Sequence, residues 1–245
     1  MSNVKLFVSV RDRLNITKQT INDLHNGGEP VDIFVFDDRS FTERKELFKY
    51  YEESIANGKI SMVVANTDST TGNYPWGKSV MLAQFAKLMQ LYNTPVENGI
   101  YGIIDNDQRL SPGWLVTMRQ LLEKAEKRWP DRVAVVSPRT EAVHPTVATS
   151  VINNKKVELK YCVGACSWLF RPNFFEKYGL PDLNWKKDSP GGHAGAEDWY
   201  YSEIFEKLDH YIVALKRPIA FDNAKSTHSA RVKIMRKRFN DDTIT

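Results

Sequence analysis

Five short apolar runs punctuate the first 137 residues: Lys5–Val10, Val31–Phe36, Ile60–Ala65, Tyr101–Asp105 and Val133–Ser137. They are short, rich in β-branched residues and phenylalanine, and lack polar alternation. That is the pattern of strands buried on both faces. Helical spacing fills the gaps between them. Residues Asn15 to Asn26 carry Ile16, Ile21 and Leu24 at helical intervals and stop at Gly27-Gly28. Ser40-Phe41-Thr42-Glu43 has capping-box spacing and predicts a helix reaching about Asn57. Ser79 to Tyr92 sets Met81, Leu82, Phe85, Leu88 and Leu91 on one face, and Ser111-Pro112 predicts the start of a helix ending near Trp129. Strands alternating with helices predict an α/β fold with a largely parallel sheet, whose ligands bind in the crevice at the carboxyl ends of the strands.

The second half follows a different pattern. TVATSVI and KVELKYC flank Asn153-Asn154-Lys155 as the arms of a hairpin, and VGACSWLF predicts another strand. The Gly- and Pro-containing stretch PDLNWKKDSPGGHAG then precedes a helix from Glu197 to about Leu208, and YIVAL predicts a last strand.

Composition bounds the picture without naming a function. The chain has 245 residues, 42% hydrophobic and 11% aromatic, enough for a substantial core. No apolar run approaches the roughly 18–20 residues of a membrane span. MSNVKLFVSV enters a strand directly, without a basic leader, so the expectation is a soluble, cytoplasmic protein with no integral membrane association. Cys162 and Cys166 lack further ligands at zinc spacing and are expected to be buried free thiols. The 34 basic residues outnumber the 30 acidic ones, yet Lys225, Arg231, Lys233, Arg236, Lys237 and Arg238 lie in one stretch free of acidic residues. The positive excess therefore belongs to a C-terminal tail.

Four motifs carry candidate chemistry. GNYPWGKS, Gly72 to Ser79, matches the phosphate-loop pattern. However, Asn66 to Thr71 separates it from the preceding strand, and Pro75 removes one N–H that a phosphate cradle needs. A P-loop-type ATPase remains an alternative. The other use of the loop is to bring Lys78 near a diphosphate. Asp37-Asp38-Arg39-Ser40 follows a buried strand, where a carboxylate can accept hydrogen bonds from a base or ribose. Asp105-Asn106-Asp107 sets two carboxylates at a strand end, the D-x-D spacing that can hold a hard divalent cation. Gly195-Ala196-Glu197-Asp198-Trp199 opens a helix whose dipole favours acidic residues, either as a simple cap or as a reactive pair.

In their order and spacing these motifs resemble the GT-A-fold nucleotide-sugar glycosyltransferases, particularly the large family-two-like group. The likeness spans about residues 4 to 230. FDDRS resembles that group's V-D-D-G-S, with Arg39 standing in the glycine position. Asp105–Asp107 resembles its D-x-D, and GAEDW its G-x-E-D. Ser9-Val10-Arg11-Asp12 replaces its P-x-Y-N start. The resemblance implies a mostly parallel Rossmann-like central sheet with flanking helices and a smaller mixed sheet on the acceptor side. It also implies a nucleotide-sugar half over 1–110, an acceptor and catalytic half over 111–224, and the basic tail over 225–245. Ser9, Val10, Arg11 and Asp38 would hold the nucleotide. Asp105 and Asp107 would hold Mn²⁺ or Mg²⁺ and the diphosphate, with Lys78 adding charge and Asp105 touching ribose. His228 would be a third metal ligand. Asp198 would deprotonate the acceptor hydroxyl while Glu197 orients the acceptor. The implied reaction moves a sugar from a nucleotide-sugar, a UDP-sugar first, to an acceptor hydroxyl. The basic tail gives a likeness to small phage-encoded transferases that modify hydroxymethylated DNA, so DNA stands beside a saccharide as candidate acceptor. A nucleic-acid-binding nucleotidyltransferase using the same D-x-D metal site is the remaining alternative.

Overall fold

The computed structural model describes residues 3–66, 76–140, 144–182 and 197–222. Four parallel strands form its first half: β1 (Val4–Val10), β2 (Asp32–Asp38), β3 (Met62–Asn66) and β4 (Ile100–Asp105). They are connected through helices α1 (Leu14–His25), α2 (Arg44–Ala56) and α3 (Trp76–Met89). Beyond β4 come β5 (Gln108–Leu110), α4 (Trp114–Arg128), β6 (Val133–Ser137), β7 (Ala148–Ile152), β8 (Lys155–Lys160) and β9 (Ser167–Phe170). The described chain closes with α5 (Phe174–Tyr178), α6 (Glu197–Leu208), β10 (Tyr211–Leu215) and β11 (Ala220–Asp222).

Among the described residues nine strands make one sheet in the order β3-β2-β1-β4-β9-β6-β10-β8-β7. β9 runs antiparallel between β4 and β6, while β6 and β10 are parallel. The hairpin β7–β8 turns through Asn153 and Asn154, both at positive φ, as a two-residue primed turn requires. It does not build the smaller mixed sheet expected on the acceptor side. Val157 and Leu159 of β8 pair with Leu215 and Val213 of β10, so the hairpin extends the main sheet and satisfies the backbone groups of β10. Among the described residues the second sheet is the strand pair β5–β11.

Alternation along β1 sorts the core into two faces. Leu6, Val8 and Val10 join Ile21, Leu24, Trp114 and Leu115 from α1 and α4. Phe7 joins Phe34, Phe36, Leu82, Phe85, Tyr201 and Phe205 on the other face, which packs α3 and α6 against the sheet together. This shared face brings the starts of two helices distant in sequence to one strand end.

Two expected caps are used differently. Ser40 does not cap α2. It donates its N–H and hydroxyl to Asp37, and Glu43 Oε2 accepts the N–H of Leu14 in the first turn of α1. α4 begins after Gly113 at φ 71, with Trp114 N–H donating to the carbonyl of Ser111, so Ser111 acts through its backbone. The two cysteines are free but half-buried, a correction to the expected burial, and Cys162 Sγ lies 4.0 Å from His144 Nε2. No described helix is long and apolar enough to cross a membrane.

Candidate active site

The carboxyl ends of β1, β2 and β4 lie side by side. Ser9 is in register with Phe36 and with Asp105, Val10 with Asp37, and Asp38 with Asn66 of β3. Strand alternation sends Ser9 to the site, where its hydroxyl donates to Asp105 Oδ1 at 2.9 Å. The same alternation sends Val10 into the core at 1% exposure. Its side chain therefore packs in the core, and a nucleotide contact at this position would be made by the backbone.

The loops that frame this end are bound to each other. Asp12 and Arg13, one residue beyond β1, both take positive φ. Asp12 Oδ1 accepts the N–H groups of Phe41 and Thr42 at 2.7 and 2.8 Å, and its own N–H donates to Ser40 Oγ. Arg39 has φ 54, the left-handed region that glycine enters without strain. The position where the resembled motif has glycine thus keeps that backbone shape with a larger residue.

Asp37 and Asp38 divide their tasks. Asp37 is fully engaged by Ser40 N–H, Ser40 Oγ and the Tyr51 hydroxyl, at 2.7, 2.7 and 2.9 Å. Asp38 is equally buried, yet its Oδ2 takes no hydrogen bond among the described residues. Asn66 reaches Oδ1 at 3.4 Å, and the half-exposed Arg11 stands 3.7 Å from Oδ2. Burial pushes the Asp38 carboxyl above its usual range, against the pull of Arg11, Arg39 and Asn66. A buried carboxylate oxygen left unsatisfied costs stability unless a ligand donates to it.

The D-x-D segment is pinned at its middle. Asn106 donates to Thr17 Oγ1 and its carbonyl accepts from Thr20 Oγ1, which ties the turn to α1. Asp107 pairs with Arg13 at 2.8 Å and accepts from Gln108. Burial, and then the neighbouring Asp105, raise its carboxyl above the ordinary range. Asp105 is engaged only through Oδ1 among the described residues, and its side chain keeps 15% exposure.

Lys78 joins three elements. From the first turn of α3 its ammonium lies 2.7 Å from Asp105 Oδ1 and 2.9 Å from Glu197 Oε1, and it donates to the carbonyl of Ala165 at 2.9 Å. Its side chain is 3% exposed. Glu197 is buried, and burial lifts its carboxyl to about 7, with Asp198 and Asp105 adding to the rise and Lys78 opposing it. Asp198, one residue on, is half-buried, and its Oδ1 accepts the N–H of Trp199.

Neither a scan of family models nor a search of curated proteins finds a match. Solved structures do match. One is a mannosyltransferase, PcManGT from Pyrobaculum calidifontis, solved with GDP-Man and Mn²⁺. It is 12% identical with a TM-score of 0.58, covering 94% of this chain and 60% of that one. Another is TarS from S. aureus, 12% identical with a TM-score of 0.53, covering 94% of this chain and 38% of that one. The chain has the fold of the GT-A glycosyltransferases. At this identity the likeness is one of fold, and the chain spans less than two thirds of either neighbour.

In this GT-A frame the described residues Ser9, Arg11, Asp38, Lys78, Asp105, Asp107, Glu197 and Asp198 gather around the carboxyl ends of β1, β2 and β4. His228, the basic tail and the Gly72–Pro75 part of the phosphate-loop pattern lie outside the described residues. Among the described residues no group of three His, Cys, Asp or Glu is placed to hold a metal. Among the described residues Lys78 pairs with two carboxylates and donates to a carbonyl. Arg13 and Asn66 were missed by sequence reasoning. The former follows an unremarkable loop and the latter ends a strand, and only the strand order brings them to Asp107 and Asp38.

Proposed function

We propose that the chain is a GT-A glycosyltransferase that moves a sugar from a nucleoside-diphosphate sugar to an acceptor hydroxyl. The observation that carries this reading is the convergence of Asp38, Asp105, Asp107 and the Glu197-Asp198 pair on one sheet end of a fold shared with glycosyltransferases. The donor side is taken as residues 1–110 and the acceptor side as 111–224.

Asp38 Oδ2 would accept an N–H or O–H of the nucleoside, with Arg11 over the opening. Asp105 and Asp107 offer hard carboxylate oxygens, and Asp105 Oδ2 is unengaged among the described residues, so the pair fits Mn²⁺ or Mg²⁺. His228 is kept as a further ligand. When bound, the divalent ion neutralises charge on the diphosphate leaving group. Asp198, nearer the surface than Glu197, would take the proton of the acceptor hydroxyl at its carboxylate as the sugar transfers with inversion. Glu197 would hold the first turn of α6 against Lys78 and orient that acceptor. A saccharide is the favoured acceptor, because the DNA reading rests on the basic residues of 225–238 alone.

The test is release of UDP or GDP from a panel of UDP- and GDP-sugars, with Mn²⁺ or with chelator. Both nucleotides belong in the panel: UDP follows from the resemblance, and the P. calidifontis neighbour was solved with GDP-Man. Metal-dependent release of a nucleoside diphosphate with sugar transfer is expected. Release of pyrophosphate would replace this reading with nucleotidyl transfer, and hydrolysis of ATP abolished by Lys78→Ala would replace it with an ATPase.

A further inference from the structure

Lys78 is the feature that the proposed roles do not use up. It is a cation buried between Asp105 and Glu197, on the carboxylate that the metal and diphosphate would share. We propose that Lys78 is a built-in counter-cation that makes metal and donor binding interdependent: it opposes the divalent ion at Asp105 and favours the diphosphate that arrives with it. This rests on the reading of Asp105 and Asp107 as the metal-binding pair.

The electrostatics follow from the charges in place. Asp105, and Glu197 when ionised, bring negative charge to one ammonium, and Asp107 brings a further charge that Arg13 balances. A divalent ion placed on Asp105 shares that carboxylate with Lys78, and two cations on one carboxylate repel each other. The metal alone is therefore held weakly. A diphosphate reverses the sign, because its anionic oxygens are attracted by the metal and by Lys78 together. Glu197 gives Lys78 a second anchor, so the ammonium stays in the site when Asp105 turns to the metal. Ala165 O fixes the third direction. The site then favours the metal–diphosphate pair over either component, and free divalent ions do not fill it ahead of the donor.

Calorimetry with Mn²⁺ alone, and with UDP and GDP in the presence of Mn²⁺, tests the proposal on the parent chain, Lys78→Met, Lys78→Gln and Lys78→Arg. Gln keeps an N–H donor for its neighbours if Met proves too disruptive, and thermal melts identify folded variants. The neutral variants should bind Mn²⁺ alone about tenfold more tightly and bind nucleotide about tenfold more weakly. Lys78→Arg should restore the parent's ordering. A merely structural role would weaken both. Unchanged or weaker Mn²⁺ binding in a folded neutral variant overturns the proposal while leaving the transferase reading intact. No Mn²⁺ binding to any of the chains, alone or with nucleotide, overturns both the proposal and the metal assignment.

Discussion

Two acidic pairs face the same site from different kinds of element. Asp37-Asp38 ends a buried strand, and Glu197-Asp198 begins a helix. In each pair one carboxylate is consumed by the fold. Asp37 is saturated by three neutral donors, all from its own loop and the helix that follows. Glu197 is held by a cation carried on α3, more than a hundred residues earlier in the chain. The other member of each pair has a different setting: Asp38 Oδ2 takes no hydrogen bond among the described residues although Asn66 reaches Oδ1, and Asp198 sits at the half-buried edge, where its Oδ1 accepts the N–H of Trp199. The difference teaches that Asp37 is held locally and Glu197 globally. The first arrangement should form wherever the β2–α2 unit folds, whereas the second exists only once both helices are packed on the same face.

The largest effect expected is on chemistry at the helix-start pair. Asp198→Asn should bind donor normally and transfer sugar about 10²–10⁴-fold more slowly, the usual loss for a general base. Full transfer activity would assign the proton to another group and favour retention over inversion.

The strand-end pair should separate stability from binding. Asp37→Ala strips Ser40 and Tyr51 of a buried acceptor and should lower unfolding stability by about 1–3 kcal/mol in denaturant titrations. Asp38→Ala removes a buried carboxylate whose Oδ2 takes no hydrogen bond among the described residues. It should leave stability unchanged or raised, while nucleotide affinity falls roughly tenfold to hundredfold. If Asp38→Ala destabilised the protein as much as Asp37→Ala, the division of tasks within the pair would be wrong.

A pH profile should single out Glu197. Its carboxyl, lifted to about 7 by burial, keeps a proton in the folded state that the unfolded chain gives up near 4.5. The folded state then binds more protons in that window, so this contribution is fully present below about 4.5 and is lost as pH rises through about 7. Melts of the parent should show stability falling across that range, and Glu197→Gln should flatten the slope. An unchanged slope would place the titrating group elsewhere.

The smallest effect concerns backbone shape at the strand-end turn. Arg39→Gly relieves a positive φ and removes a buried Nε that has no hydrogen-bond partner among the described residues, so stability should rise by up to about 1 kcal/mol. A loss of stability would mean that the Arg39 charge beside Asp38 matters more than its strain.

The sequence by itself determined the elements and the strand and helix ends at which the candidate residues gather. Uninterrupted apolar runs marked β1, β2, β4, β6 and β10, because strands covered on both faces have no polar positions to show. Helical spacing located α1, α3 and α6 to within a few residues, and Asn153-Asn154 marked the hairpin turn. Asp38, Asp105, Asp107, Glu197 and Asp198 were legible because acidic residues at the ends of apolar runs stand out in a line of text. What only tertiary structure decided was who meets whom. Glu43, spaced with Ser40 as a capping box, serves α1 because the loops after β1 and β2 lie against each other. The hairpin joins the main sheet because the edge of β10 needs hydrogen-bond partners. The side chain of Val10 faces the core because alternation along β1 places it there. Lys78, written inside a phosphate-loop pattern, is a counter-ion to Asp105 and Glu197 because α3 and α6 pack on the Phe7 face together. Spacing along a chain records local geometry, whereas an ion pair between residues 78 and 197 depends on strand order and helix packing, which no local pattern carries.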